Sequence, residues 1–182
     1  MATKLEQLKE WAKQNVTMID LLPNNSNLQV TTRLIDVLED EVDEKYYLSE
    51  EKTKKLTLDF SLTSQDKHGV AIREATKQGY AVAEQGDSVN VSYPTSKTRR
   101  GRVGKQIAQT LQAGEVNQGV VMDDIRIRKL VPVETWRLQG FTDEQFYKAK
   151  DSGVSNSQLY KQSGNAITIS VADAIIKKIT EG

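Results

Sequence analysis

The apolar pattern of the chain changes period twice, and this limits the folds open to it more than any other feature. In residues 4–20, Leu5, Leu8, Trp11, Ala12, Val16 and Ile19 recur at spacings of three and four, forming one stripe of a helix. Residues 168–180 repeat that spacing with Ile169, Ala172, Ile175, Ile176 and Ile179. Between them lie short, turn-bounded segments that read as strands: Val70-Ala71-Ile72, Tyr80-Ala81-Val82, Val89-Asn90-Val91, Val120-Val121-Met122 and Ile125-Arg126-Ile127. The spacing predicts an α+β fold: a small, irregular β-rich domain flanked by an N-terminal helix and a helical C-terminal tail. The expected parts are residues 1–30 (helix and linker, broken at Pro23–Asn27), 31–130 (β-rich domain) and 131–182 (helical tail).

Shorter helices are expected at 33–39 and 50–60. Pro132 suits a first helical position, with Glu134 and Leu138 following it. Thr142–Gln145 and Ser155–Gln158 each have the spacing of a capping box, and Gly164 is expected to end the helix that the second box begins. The N-terminal stripe either packs on the chain's own core or docks on another protein. Trp11 and Trp136 read as core residues, and His68, before Gly69, as a turn residue.

Composition removes most chemistry. There is no Cys and one His, so there is no disulfide, no thiolate metal site, no multi-His metal site and no cysteine nucleophile. No glycine precedes Gly69, and later glycines give neither GxGxxG nor a P-loop, so no Gly-rich cofactor loop is present. No catalytic residue and no metal ligand is assigned. No apolar run approaches the roughly 20 residues that cross a bilayer. Lys4, Glu6, Lys9 and Glu10 interrupt any signal-peptide pattern, so a cytoplasmic chain without membrane contact is expected.

The 25 basic and 25 acidic side chains balance but are unevenly placed. Residues 36–44 (DVLEDEVDE) hold six acids and read as a solvated face. Residues 97–105 (KTRRGRVGK) hold five bases and no acid. They read either as another solvated face or as a loop whose Lys97, Arg99, Arg100, Arg102 and Lys105 meet phosphates or base edges, with Gly101 and Gly104 letting the backbone approach the ligand.

Two segments of the last third carry a family resemblance. RKLVPVETWRLQGF, from Arg128 to Phe141, resembles motif IX of the DNA cytosine-5 methyltransferases (R-x-L-T-P-x-E-x-x-R-L-Q-G-F), with Val131 where Thr is usual. YKQSGNAITISVADAI, from Tyr160 to Ile175, resembles their motif X (Y-K-Q-x-G-N-A-V-x-x-x-V-x-x-A-I), with Ile167 for Val. Upstream, TRLIDVLEDEVDEKYYLS (32–49) is similar to the segment opening the target-recognition domain. SKTRRGRVGKQIAQTL (96–111) is similar to a stretch inside it, ending in the Thr110-Leu111 element near the flipped base. The resemblance covers about 31–180, and residues 1–30 do not look like the family there.

The resemblance implies recognition without chemistry. In the family, a Pro-Cys cysteine attacks C6 of cytosine so that C5 accepts the methyl group of S-adenosylmethionine. This chain has no Cys, no Glu-Asn-Val motif and no cofactor loop. It is therefore expected to be inactive alone, selecting double-stranded DNA for a separate catalytic subunit that supplies the cysteine and most of the S-adenosylmethionine site. By resemblance, Glu134, Arg137, Gln139 and Gly140 are structural, although direct DNA contact stays open for Glu134 and Arg137. Thr110 joins the DNA-binding set. Asn165 borders the cofactor as part of a site only, or is simply a helix-terminus residue. The alternative is a stand-alone, non-enzymatic derivative: a DNA-binding regulator, or a phage-type inhibitor of a DNA-handling host-defence protein. The initial Met and the unfamiliar first helix favour it. A homodimer is also open.

Overall fold

The computed structural model describes residues 32–58, 69–113 and 116–181. The helix expected at 4–20, the linker at Pro23–Asn27 and the turn at His68 lie outside them. Residues 31–166 and residues 167–182 belong to different compact units, considered separately below.

The larger unit opens with two 3-10 turns, Leu34–Val37 and Glu44–Tyr46, and helix α1 (Glu50–Leu56), which Ser49 caps through the Lys52 N–H. Strands β1 (Gly69–Arg73) and β2 (Tyr80–Glu84) form an antiparallel hairpin in register Gly69↔Glu84 to Arg73↔Tyr80. Strands β3 (Ser88–Asn90), β4 (Val103–Gly104), β5 (Gln118–Val121) and β6 (Ile127–Lys129) form an antiparallel sheet of order β4-β3-β5-β6. Helices α2 (Pro132–Leu138), α3 (Asp143–Asp151) and α4 (Asn156–Asn165) follow. The fold is α+β, with helices and small antiparallel sheets.

Strand alternation divides the interior. On β5, Val120 joins Leu34, Val37 and Leu130, while its neighbour Val121 joins Leu56, Val70, Ile72, Ala83, Val89 and Ile127 on the opposite face. A third cluster, Val131, Val133, Trp136, Phe146 and Leu159, binds the helices together. Each fully buried Leu or Ile contributes roughly 1.5–3 kcal/mol relative to exposure.

Three local expectations are corrected. Ile125 is not in a strand: it sits at φ 60° at the tip of the β5–β6 hairpin, where Asp124 Oδ1 accepts the Arg126 N–H at 3.0 Å. A strand not expected from the sequence, Val103–Gly104, lies inside the basic run. Gly164 does not end α4, which runs on through Asn165. A Cβ at Gly164 would stand 2.5 Å from the carbonyl carbon of Gln112, so the residue permits a close crossing of two backbones.

The capping chemistry follows from residues at fixed offsets. At α3 both halves of the box form: Gln145 N–H donates to Thr142 Oγ1 (3.3 Å), and Thr142 N–H donates to Gln145 Oε1 (2.9 Å). At α4, Ser155 Oγ accepts the Gln158 N–H at 3.4 Å. Helix α5 (Ile169–Glu181), in the second unit, starts at Thr168, whose carbonyl accepts from Val171 and Ala172. No helix among the described residues is long and apolar enough to cross a membrane.

Candidate nucleic-acid interface

The basic run forms the return arm of the hairpin between β3 and β4, paired Ser88↔Gly104 and Val89↔Val103. Its foot is fixed by one buried side chain. Arg102 is 1% exposed, and its guanidinium donates to the carbonyls of Asn90 (3.1 Å), Ser92 (3.0 Å) and Tyr93 (2.7 Å). The expectation that Arg102 meets a phosphate at the surface therefore gives way to an internal role. Three carbonyls leaving β3 converge on its two terminal nitrogens, while Nε has no partner among the described residues. Burial, and then the nearby charge of Arg99, hold its pKa below the usual guanidinium value. Glu74 Oε1 accepts the backbone N–H groups of Arg102 (2.6 Å) and Val103 (3.2 Å), tying the β1–β2 turn to the same point.

The other four bases divide into three kinds. Lys105 Nζ donates to the buried carboxylate of Asp87 at 2.7 Å, and Gly104 lies where a Cβ would stand 2.8 Å from the carbonyl oxygen of Ile107. Its close neighbour is thus the chain itself and not a ligand. Lys97 and Arg100 are exposed and pair with no acid among the described residues. Arg99 is half-buried: its Nη1 donates to Ser92 Oγ (3.1 Å), and its guanidinium lies 5.2 Å from the centre of the Tyr93 ring.

Sequence reasoning passed over Tyr93. It is 71% exposed and has φ 48°, a backbone region that costs a bulky side chain about 1–3 kcal/mol. Its carbonyl is held from two sides, by Arg102 and by the Ser96 N–H at 3.0 Å. The signal available in the sequence was an aromatic residue directly before a polar, basic stretch. Glu74, Asp87 and Gln109 were also missed, because their roles depend on partners that only the folded hairpins bring to them.

Gln109 joins this loop to the Thr110-Leu111 element. Its Nε2 donates to the carbonyls of Gly101 (3.1 Å) and Arg102 (2.7 Å), while its backbone exchanges bonds with the buried Gln118 side chain. Thr110, exposed, thus follows directly on the foot of the basic loop. Two residues further on, Gln112 meets Gly164, so α4 and its last residue, the exposed Asn165, adjoin the same segment. The cavity beside α4, lined by Leu111, Gln112, Asn117, Tyr160 and Ser163 among others, measures about 10 Å³, room for at most one water. Asn165 does not line it. These residues do not by themselves make a site for a nucleoside-sized cofactor, and no group of three potential metal ligands occurs among the described residues.

Where β6 meets α2 lies a neutralised base. Arg128 and Glu134 are both fully buried and form a two-pronged pair (2.9 and 2.7 Å). The same carboxylate accepts the N–H groups of Glu39 (2.8 Å) and Val131 (2.7 Å). With Val at the N-cap no side-chain oxygen caps α2, so the Glu134 bond to Val131 stands alone there. Arg137 binds both oxygens of Asp143 (2.7 and 2.6 Å), Glu39 (2.6 Å) and the Val37 carbonyl (3.1 Å). These partners, the Asp143 bonds foremost, raise its pKa.

The segments resembling motifs IX and X are bonded to each other. Trp136 Nε1 donates to the Leu159 carbonyl (3.0 Å), Gln139 Nε2 to the Ser163 carbonyl (2.9 Å), and Tyr160 Oη to the Leu130 carbonyl (2.8 Å). Burial, and then Tyr46, push the Tyr160 phenol pKa up. Gly140 closes the turn after α2, its N–H donating to the Arg137 carbonyl (2.9 Å), which returns Phe141 to 5.1 Å from the Trp136 ring.

The sequence profile of the C-5 cytosine-specific DNA methylases matches residues 3–181. The chain belongs to that family. Members act on DNA and use S-adenosylmethionine. The chain is 38% identical to the orphan methyltransferase M.SPBetaI of Bacillus phage SPbeta, over 82% of this chain and 42% of that protein. It is 29% identical to the orphan methyltransferase M.SPRI of Bacillus phage SPR, over 97% of this chain and 56% of that protein. A 54-residue stretch is 59% identical to the orphan methyltransferase M.Rho11sI of Bacillus phage rho11s, over 30% of this chain and 11% of that protein. The chain spans about half the length of the relatives it matches, or less. The match from residue 3 corrects the expectation that residues 1–30 stand apart from the family. That segment carries an amphipathic helical stripe, which many families share, and no short motif by which to recognise it.

Proposed function

We propose that the chain is the DNA-recognition portion of a cytosine-5 methyltransferase and that the attacking cysteine is carried on polypeptide outside this sequence. The observation that carries the reading is family membership over residues 3–181 in a chain without a single Cys. Without a thiolate, C6 of cytosine has no nucleophile and C5 cannot be activated. The basic loop supports the assignment: Lys97, Arg99 and Arg100 project from a foot fixed by Arg102, Glu74 and Gln109, an arrangement suited to phosphates and groove edges. Residues 31–130 would hold the DNA, and the segment after 131 would join them to the catalytic part. Because the target base leaves the duplex during methylation, such a portion also has to hold distorted DNA. Asn165 would add one polar contact to a cofactor held mainly by the catalytic partner.

The reading as a stand-alone regulator or inhibitor rested on the initial Met and on a first helix foreign to the family, and the match from residue 3 speaks against the second of these. A complementation assay tests the proposal. Labelled S-adenosylmethionine and duplex DNA are incubated with the full chain, with the cysteine-bearing part of the SPbeta relative lacking the matching C-terminal segment, and with both. Label should enter cytosine only when both are present. Label transferred by the chain alone, or no transfer by the pair, would overturn the reading.

A further inference from the structure

We propose that Tyr93, backed by Arg99, is the element of this chain that stacks on a nucleobase, and that Arg102 is the residue that positions it. The inference rests on the DNA-recognition reading above and deepens it. Tyr93 is the most exposed large apolar side chain among the described residues, at 71%. Loop tips do not need a tyrosine. At φ 48° a glycine or asparagine would turn the chain with less strain, so the ring is held there against a backbone preference. Outliers of this kind persist where the surroundings overdetermine them, and here the surroundings are the buried Arg102 guanidinium on the carbonyls of Asn90, Ser92 and Tyr93.

The chemistry around the ring selects the partner. Residues 88–114 contain no acidic side chain, and Lys97, Arg99 and Arg100 lie within seven positions of Tyr93. An aromatic face set among cations that pair with no acid among the described residues is the arrangement that binds bases and phosphates together, because every base offers a π-face whatever its identity. Arg99 lies 5.2 Å from the ring centre, and its Nη1 is steered by Ser92 Oγ, which in turn bonds Asn90 Oδ1 at 2.6 Å. The cation therefore backs one side of the ring, and with Tyr93 71% exposed the other side is open to a base.

The test uses the full chain and a fluorescein-labelled, mixed-sequence duplex carrying one unpaired base, read by anisotropy across a salt series. Tyr93→Ala should lower affinity roughly tenfold or more, with an unchanged salt slope, since the ring neutralises no phosphate. Tyr93→Phe should bind as the parent does. Arg102→Lys keeps the charge but cannot span three carbonyls. It should weaken binding comparably, and combining it with Tyr93→Ala should cost nothing further. If the parent binds in a salt-dependent way and Tyr93→Ala binds equally well, the stacking role falls while DNA recognition stands. A flattened slope in Tyr93→Ala, or a loss in Tyr93→Phe equal to that in the alanine variant, also overturns stacking. Additive losses in the double variant overturn the positioning role of Arg102. If the parent binds no DNA, the recognition reading falls and this inference with it.

Discussion

Arg128 and Arg102 are both buried guanidinium groups, and both leave Nε without a partner, yet they do opposite things with their charge. Arg128 meets the Glu134 carboxylate head-on, and the pair is neutral as a unit. The Arg102 guanidinium donates to the neutral carbonyls of Asn90, Ser92 and Tyr93. The first arrangement cancels charge where β6 meets α2. The second leaves a cation at the foot of a loop that already carries Lys97, Arg99 and Arg100. On the proposed function, the difference separates a region that holds the fold from one that faces an anion.

The comparison breaks first at Glu134. Glu134→Ala strands a buried cation and frees two backbone donors, so it should cost about 3–5 kcal/mol in urea unfolding. A loss under 1 kcal/mol would mean that Arg128 finds water, and the contrast would disappear. Arg102→Met leaves only neutral carbonyls behind, near a surface where water can reach them. It should cost less, about 1–3 kcal/mol, while reducing DNA affinity sharply. If it matched Glu134→Ala in stability, the two sites would be of one kind. The smallest effect on folding belongs to the loop surface. Lys97→Ala with Arg100→Ala should change stability by under about 0.5 kcal/mol. The same double change should flatten the slope of log affinity against log salt by roughly 1.8, taking about 0.9 per phosphate. An unchanged slope would make those two residues ordinary solvated cations.

Helix starts were legible in the sequence because capping is local: Thr142 and Gln145 find each other three residues apart whatever surrounds them. Tertiary placement was not. Gly164 has two meanings in a sequence, the end of a helix or a close crossing, and only the approach of Gln112 chooses between them. Ile125 carries a strand former's side chain, but the Asp124 turn beneath it sets the backbone. Within RRGR the three arginines are chemically identical. Which of them goes inside depends on where Asn90, Ser92 and Tyr93 aim their carbonyls, nine to twelve residues away in sequence and set by the pairing of β3 with β4. The same holds for the base. Glu134 and Arg137 stood out by resemblance, but Arg128 as the partner of Glu134 required the hairpin to fold.

Apart from a bond from Asn90 Nδ2 to Gln109 Oε1 (3.4 Å), the ties that fix the loop foot end on main-chain atoms. Arg102 grips carbonyl oxygens, Glu74 grips amide hydrogens of residues 102 and 103, Gln109 grips the carbonyls of residues 101 and 102, and the Ala75 amide grips the carbonyl of Arg99. Main-chain atoms are the same for every amino acid. The clamp is therefore blind to spelling: the side chains at positions 94–98 and 100 can be rewritten without removing one of these bonds. The molecule carries a fixed handle with an exchangeable tip, and a change in what the tip touches need not be a change in how the chain folds.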